Sequence, residues 1–244
     1  MQLIENASSE KLRGGYYTPK KIADFILKWG LRDLLYTDIL EPSCGDGAFL
    51  KALKTMGCCF HSLTAVEYNQ VEAEKAMQVG IGDVVNADFH AFCRDTEKRF
   101  NLIVGNPPFI RYQYYDEEQQ QIAADLFKKA GLKFSKLTNA WVTFVIGCSL
   151  LLQERGRIGF VVPAELLQVG YALQLREYLS NFYNKINIIS FKKLVFEGIQ
   201  QEVVLLLCEK NGSSNHFIDH LELKDADELA TLDVSTLGCH SKTI

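Results

Sequence analysis

The sequence predicts an α/β protein, with one mostly parallel sheet, helices on both faces and an antiparallel finish. Three observations predict it. Short apolar runs alternate with stretches whose apolar residues recur at helical spacing, the order of β–α–β units. A glycine-rich turn, Glu41-Pro42-Ser43-Cys44-Gly45-Asp46-Gly47, links the first run to a helix. The last two runs are separated by about a dozen residues without helical pattern, too few for a crossover, so those strands pair antiparallel.

The elements follow in order. Residues 1–13 are polar. Gly14-Gly15-Tyr16-Tyr17-Thr18-Pro19 is a turn into a helix over 19–29, with Thr18 as its expected N-cap, Pro19 as its first residue, and Ile22, Phe25, Ile26 and Trp29 as its buried face. Its free N–H groups, with Tyr17, could meet an anion; a well-capped helix alone would read the same way. Residues 38–40 form the first strand, and Phe49, Leu50 and Leu53 mark the helix after the glycine turn. Strand two, 62–67, ends in Glu67. A carboxylate there can take both hydroxyls of a ribose, although an isolated Glu is more often a solvated loop acid. A surface helix over 68–79 precedes strand three, which delivers Asp88 and Phe89. Asp88 could accept from an exocyclic amine while Phe89 covers a purine face. Strands four to seven fall at 101–105, 157–163, 186–191 and 203–208, with an apolar helix over 139–153 and helical segments at 164–167 and 171–181. Beyond Asn211 the pattern weakens, so the expected domain is 1–210, with 211–244 a C-terminal extension.

Strand four runs into Asn106-Pro107-Pro108-Phe109. A double proline can neither continue a ladder nor enter a helix interior, so the chain leaves the sheet there in a rigid extended turn. That sets an amide and an aromatic at the carboxyl end of a strand, where open α/β sheets keep their ligands. The Asn106 side-chain oxygen and the Pro107 carbonyl are acceptors that can hold an –NH2 group, and Phe109 can stack on the ring carrying it. Asn-Pro and Pro-Pro also mark ordinary turns, so the tetrapeptide alone does not decide. Residues 110–136 interleave Arg111, Tyr112, Tyr114, Tyr115, Phe127, Lys128, Lys129, Lys133, Phe134 and Lys136. This suits a nucleic-acid contact, and equally an exposed helix over about 117–130.

The totals bound the function. The chain has 244 residues, 48% hydrophobic and 23% charged, an ordinary globular composition. No apolar run is long enough for a membrane helix, and the N-terminus has no signal-peptide pattern. Seven cysteines without C-x-x-C spacing read as reduced thiols in a cytoplasmic protein, and five scattered histidines give no metal site. The glycine turn is neither the dinucleotide fingerprint nor a phosphate loop. A net charge of −4 is unusual for a chain that grips nucleic acid by itself.

In order and spacing, the motifs resemble the gamma-class N6-adenine DNA methyltransferases, the TaqI-like enzymes of restriction–modification systems. Gly14-Gly15-Tyr16-Tyr17-Thr18-Pro19 is similar to the family's motif ten and Glu41-Pro42-Ser43-Cys44-Gly45-Asp46-Gly47 to motif one. Glu67 stands at motif two, Asp88-Phe89 at motif three, Asn106-Pro107-Pro108-Phe109 at motif four and Phe196-Glu197-Gly198 at motif eight. The resemblance covers about residues 12–210. It implies a class I S-adenosylmethionine-dependent methyltransferase fold, Rossmann-like and seven-stranded, with S-adenosylmethionine as cofactor and duplex DNA with a flipped adenine as partner. Tyr17, Thr18, Pro19 and residues Glu41 to Gly47 would hold the methionine part, Glu67 the ribose, and Asp88 and Phe89 the adenine, with Asn106 beside the cofactor. Asn106, Pro107, Pro108 and Phe109 would be catalytic, and Phe109 and Phe196 would stack on the target base. The family often has Tyr where Phe109 stands. About 35 residues follow the seventh strand, too few for a target-recognition domain, so recognition is expected from a separate domain or subunit. The competing readings are an RNA adenine or protein glutamine methyltransferase, and a cofactor-binding subunit without catalysis.

Overall fold

The structure, a computed structural model, describes residues 17–34, 37–110, 116–134, 139–168, 172–196, 201–237 and 242–243. Among the described residues, nine strands form one sheet in the order β3-β2-β1-β4-β5-β7-β6-β8-β9. Four lie in the first half of the chain: β1 (Asp38–Glu41), β2 (Ser62–Glu67), β3 (Asp83–Asn86) and β4 (Phe100–Gly105). They run parallel to one another, as β–α–β connections require. β5 (Leu152–Pro163) is parallel to β4, while β7 (Val203–Glu209) enters antiparallel between β5 and β6 (Lys185–Phe191). The strand order reverses between β1 and β4, which opens a crevice at their carboxyl ends.

Two apolar layers enclose the sheet. On one face Ile39, Leu102, Val104, Val161 and Leu205 meet α1 (Lys20–Leu31) and α2 (Ala48–Met56). On the other, Leu40, Ile103, Phe160, Val162 and Leu206 meet α4 (Phe89–Asp95), α5 (Glu117–Lys129), α6 (Ala140–Leu151) and α8 (Leu173–Phe182). Adjacent residues of one strand thus serve opposite cores, which is why the central strands read as continuous apolar runs. α3 (Gln70–Met77) lies beside β2 and β3, and the short α7 (Glu165–Gln168) follows β5. At the amino ends of the strands Glu209 binds Arg32 Nη2 at 2.6 Å and Arg157 Nε at 3.3 Å, fastening the end of α1 to β5 and β7.

Two expectations are corrected here. Among the described residues the sheet has nine strands rather than seven, because β8 (Phe217–Leu223) pairs parallel with β6 and β9 (Lys242–Thr243) pairs with β8. Leu223, Ala226, Leu229, Val234 and Leu237 join the core, so neither sheet nor core stops at residue 210. β8 escapes the apolar-run criterion because it lies outside β6 with much of its surface open. Thr18 does not cap α1. Pro19 takes the N-cap place with ψ 138°, without a side-chain cap bond, and its carbonyl accepts from Ile22 and Ala23 N–H.

Candidate active site

The glycine turn leaves β1 at Glu41 and is tied to β2 by Cys44 N–H donating to the Val66 carbonyl at 2.9 Å. Gly47 begins α2 at φ 87°, where a side chain would be strained, and an added Cβ would sit 3.3 Å from Ala76 Cα. The turn and Glu67 lie against each other. Gly45 N–H donates to Glu67 Oε2 at 2.8 Å, and Asn69 N–H donates to Oε1 at 2.7 Å. Burial raises the Glu67 carboxyl, and these two N–H groups oppose that rise.

Glu41 is only 2% exposed. Its Oε2 is buried with no hydrogen-bond partner among the described residues. Burial first, then the charges of Glu67 and Asp46, push its carboxyl well above the usual carboxylate range. A buried acid of this kind awaits a cationic partner. An added Cβ at Gly45 would meet nothing within 4 Å among the described residues. The orphaned carboxylate oxygen and the open glycine fit the ammonium end of the expected S-adenosylmethionine. Cys44 is buried, and burial pushes its thiol upward, so it offers no reactive thiolate.

The Asn106-Pro107-Pro108-Phe109 turn lies beside the glycine turn because β1 and β4 are parallel neighbours, with Leu40 opposite Ile103. Ser43 Oγ donates to the Asn106 carbonyl at 3.3 Å. Gly105 permits the approach, since a Cβ there would lie 3.3 Å from Pro42 Cδ. Asn106 Oδ1 is shielded from solvent, Pro107 is buried, and Pro108 is half-buried. Phe109 is half-buried between the two cores. Ala140 N–H donates to the Ile110 carbonyl at 2.8 Å and anchors the exit of the turn.

Asp88 caps α4, accepting from Ala91 N–H at 3.0 Å. Gln119 Nε2 donates to Asp88 Oδ2 at 2.8 Å, and His90 Nδ1 lies 3.5 Å from Oδ1. Burial raises the Asp88 carboxyl, but His90, Ala91 N–H and Gln119 outweigh it and hold the group below its ordinary value. His90 and Gln119 are absent from the sequence reading of the site. The available signal was Asp116…Gln119, a capping-box spacing at the start of α5.

The rings of Phe89 and Phe196 do not lie as expected. Phe89 is 2% exposed and stacks on Phe144 at 4.5 Å inside the core, so it cannot cover a purine. As the first residue of α4, Phe89 has a backbone N–H with no partner inside its own helix. Phe196 is 4% exposed within the other core and presents no open face to a base. Tyr17 is 58% exposed, with its hydroxyl 3.4 Å from Glu72 Oε2 on α3; Thr18 and Pro19 follow it into α1. Gly14, Gly15, Tyr16, Arg111, Tyr112, Tyr114, Tyr115, Lys136, Glu197 and Gly198 lie outside the described residues.

Residues 55–196 match a family model described as Eco57I restriction-modification methylase. The type II methyltransferase M.AccI of Acinetobacter calcoaceticus is 23% identical over 89% of this chain and 40% of its own length. The type II methyltransferase M.HincII of Haemophilus influenzae is 26% identical over 92% of this chain and 42% of its own. The chain thus spans about two fifths of these relatives. Among solved structures, a DrdV–DNA complex superposes with a TM-score of 0.75 at 15% identity, over 98% of this chain and 31% of that one. A class I S-adenosylmethionine-dependent methyltransferase from Listeria monocytogenes superposes with a TM-score of 0.65 at 16% identity, over 84% of this chain and 65% of that one. The fold is therefore that of class I S-adenosylmethionine-dependent methyltransferases.

Proposed function

The chain belongs to the Eco57I restriction-modification methylase family, and from that premise we propose that it methylates the N6 amine of an adenine flipped out of duplex DNA, with S-adenosylmethionine as donor. The observation that carries this reading is the contact between two turns at the reversal of strand order. Ser43 Oγ on the glycine turn reaches the Asn106 carbonyl at 3.3 Å, which supports reading the two turns as the cofactor side and the amine side of one crevice. The restriction–modification description of the family supports DNA as substrate and a cytoplasmic location.

When bound, S-adenosylmethionine supplies an electrophilic methyl group on a sulfonium. Glu41 takes the methionine ammonium, with Tyr17, Thr18 and Pro19 at the rim. Glu67 takes the ribose hydroxyls, and Asp88 with the Phe89 N–H reads the adenine edge. The lone pair of a target adenine amine is delocalised into its ring, which makes it a poor nucleophile. Asn106 Oδ1 and the Pro107 carbonyl each accept one N–H and draw that nitrogen toward tetrahedral geometry. Pro107 and Pro108 lock the acceptors in place, so orientation costs nothing at the moment of reaction. The developing positive charge on nitrogen faces two fixed dipoles. Phe109, half-buried beside the turn, stacks on the flipped base, a contact worth about 1–3 kcal/mol.

The test is transfer of labelled methyl from S-adenosylmethionine to an unmethylated duplex, followed by digestion to nucleosides and mass analysis. A mismatched adenine lowers the cost of extrusion and reduces the demand on recognition. N6-methyladenine is the expected product. Label appearing only in RNA, or only on glutamine of a protein substrate, would replace this reading. Tight cofactor binding without transfer to any of the three would leave a cofactor-binding subunit.

A further inference from the structure

Asp88 is held from three sides. Its Oδ1 accepts Ala91 N–H at 3.0 Å and faces His90 Nδ1 at 3.5 Å, while Oδ2 accepts Gln119 Nε2 at 2.8 Å. An ionised carboxylate has about four acceptor positions, so Oδ2 keeps room for one more donor. Gln119 uses its other atom differently. Gln119 Oε1 accepts Asp116 N–H at 3.2 Å and Gln119 N–H donates to Asp116 Oδ1 at 2.8 Å, closing the capping box of α5. One amide therefore joins Asp88 to the start of the helix that follows the Asn106–Phe109 turn. His90 extends the other side. Thr143 Oγ1 donates to the Ala140 carbonyl at 2.8 Å and lies 2.6 Å from His90 Nε2. Ala140 N–H in turn holds the Ile110 carbonyl at 2.8 Å.

The geometry points to Gln119 as a positioning residue that sets cofactor specificity: its Nε2–H fixes Asp88 Oδ2 where it can accept the exocyclic amine of the cofactor's adenine. The inference rests on the proposed role of Asp88. The two functions of Gln119 belong to different atoms, and this makes them separable. Gln119→Glu keeps an oxygen for the Asp116 N–H and so keeps the cap. It replaces the donor facing Asp88 with a second carboxylate.

The experiment is calorimetric titration of the chain at pH 8 with S-adenosylhomocysteine and with S-inosylhomocysteine, which lacks the exocyclic amine. The wild-type protein should prefer the adenosyl compound. Gln119→Glu should bind it about tenfold more weakly, the effect of losing one hydrogen bond to a charged group. Its preference over the inosyl compound should fall toward that of Asp88→Ala, with the melting temperature unchanged. Gln119→Met, near-isosteric and without a donor, should lose the same preference and serves if the Glu variant does not fold. Affinity and preference within about twofold of wild type in the folded variants would overturn the inference. If Asp88→Ala abolishes the preference while the Gln119 variants keep it, only the role of Gln119 falls. If Asp88→Ala also leaves the preference intact, the reading of Asp88 falls with it.

Discussion

Glu41 and Asp88 are both carboxylates near strand ends, yet their surroundings drive them in opposite directions. Glu41 Oε2 has no hydrogen-bond partner among the described residues, and the carboxyl sits well above the usual range because of burial and the neighbouring charges of Glu67 and Asp46. Asp88, with its donors, sits below its ordinary value. The pH consequence follows from the sign. The folded chain keeps the Glu41 proton at pH values where the unfolded chain has lost it, so stability falls as pH rises from the ordinary carboxylate range toward the raised folded value. Glu41→Gln should therefore melt about 2–4 °C higher at pH 8, on the order of 1 kcal/mol, and show no gain at pH 4. It should also bind S-adenosylmethionine about tenfold or more weakly, measured by titration. A drop in melting temperature at pH 8 would contradict the account. At this scale the sequence disclosed which residues stand at strand ends, because Glu67, Asp88 and Asn106 each close an apolar run. It did not disclose side-chain direction. Phe89 turns into the core against Phe144, and Phe196 is buried, because local backbone path rather than spacing aims a ring.

Helix ends give the next tests. Asn69 caps α3 by accepting from Val71 and Glu72 N–H, at 3.0 and 3.2 Å. Asn69→Ala should cost about 1 kcal/mol in thermal or denaturant unfolding. Thr18→Ala should cost less than about 0.5 kcal/mol, because Thr18 makes no cap bond and Pro19 holds that position. Equal losses in the two variants would show that the start of α1 is described wrongly. Helix α5 was legible almost to its ends, at about 117–130 against Glu117–Lys129, because Asp116 and the apolar residues Ile122, Ala123 and Leu126 agree on one register. The α1 cap was misplaced by one residue because a Thr-Pro pair satisfies the cap rule on paper, while Pro19 itself keeps an extended ψ. The Glu209 cluster had no sequence signal, since Arg32, Arg157 and Glu209 meet only through the sheet. Glu209→Ala leaves two arginines without their carboxylate and should cost about 3–5 kcal/mol.

For the molecule as a whole, the α/β class and the antiparallel finish were readable from β4 and from the short β6–β7 gap. The last two strands were not, because β8 carries Asp219, His220 and Glu222 on an outer strand and so lacks an apolar run. Residues 217–237 nevertheless complete the core beneath α1 and β6. Leu229→Ala should therefore destabilise the whole chain by about 2–5 kcal/mol in denaturant titration, despite lying outside the expected 1–210 domain. A change below about 0.5 kcal/mol would mean that this segment is a separate appendage. The central claim concerns the crevice where β1 and β4 deliver their turns. It is tested most directly by Asn106→Ala, measured for single-turnover methyl transfer to a mismatched adenine duplex and for S-adenosylmethionine affinity in the same preparation. The account predicts loss of transfer by about a hundredfold or more, the scale of removing one oriented acceptor from a reaction centre, with cofactor affinity within a few-fold of wild type. Transfer at the wild-type rate would contradict it.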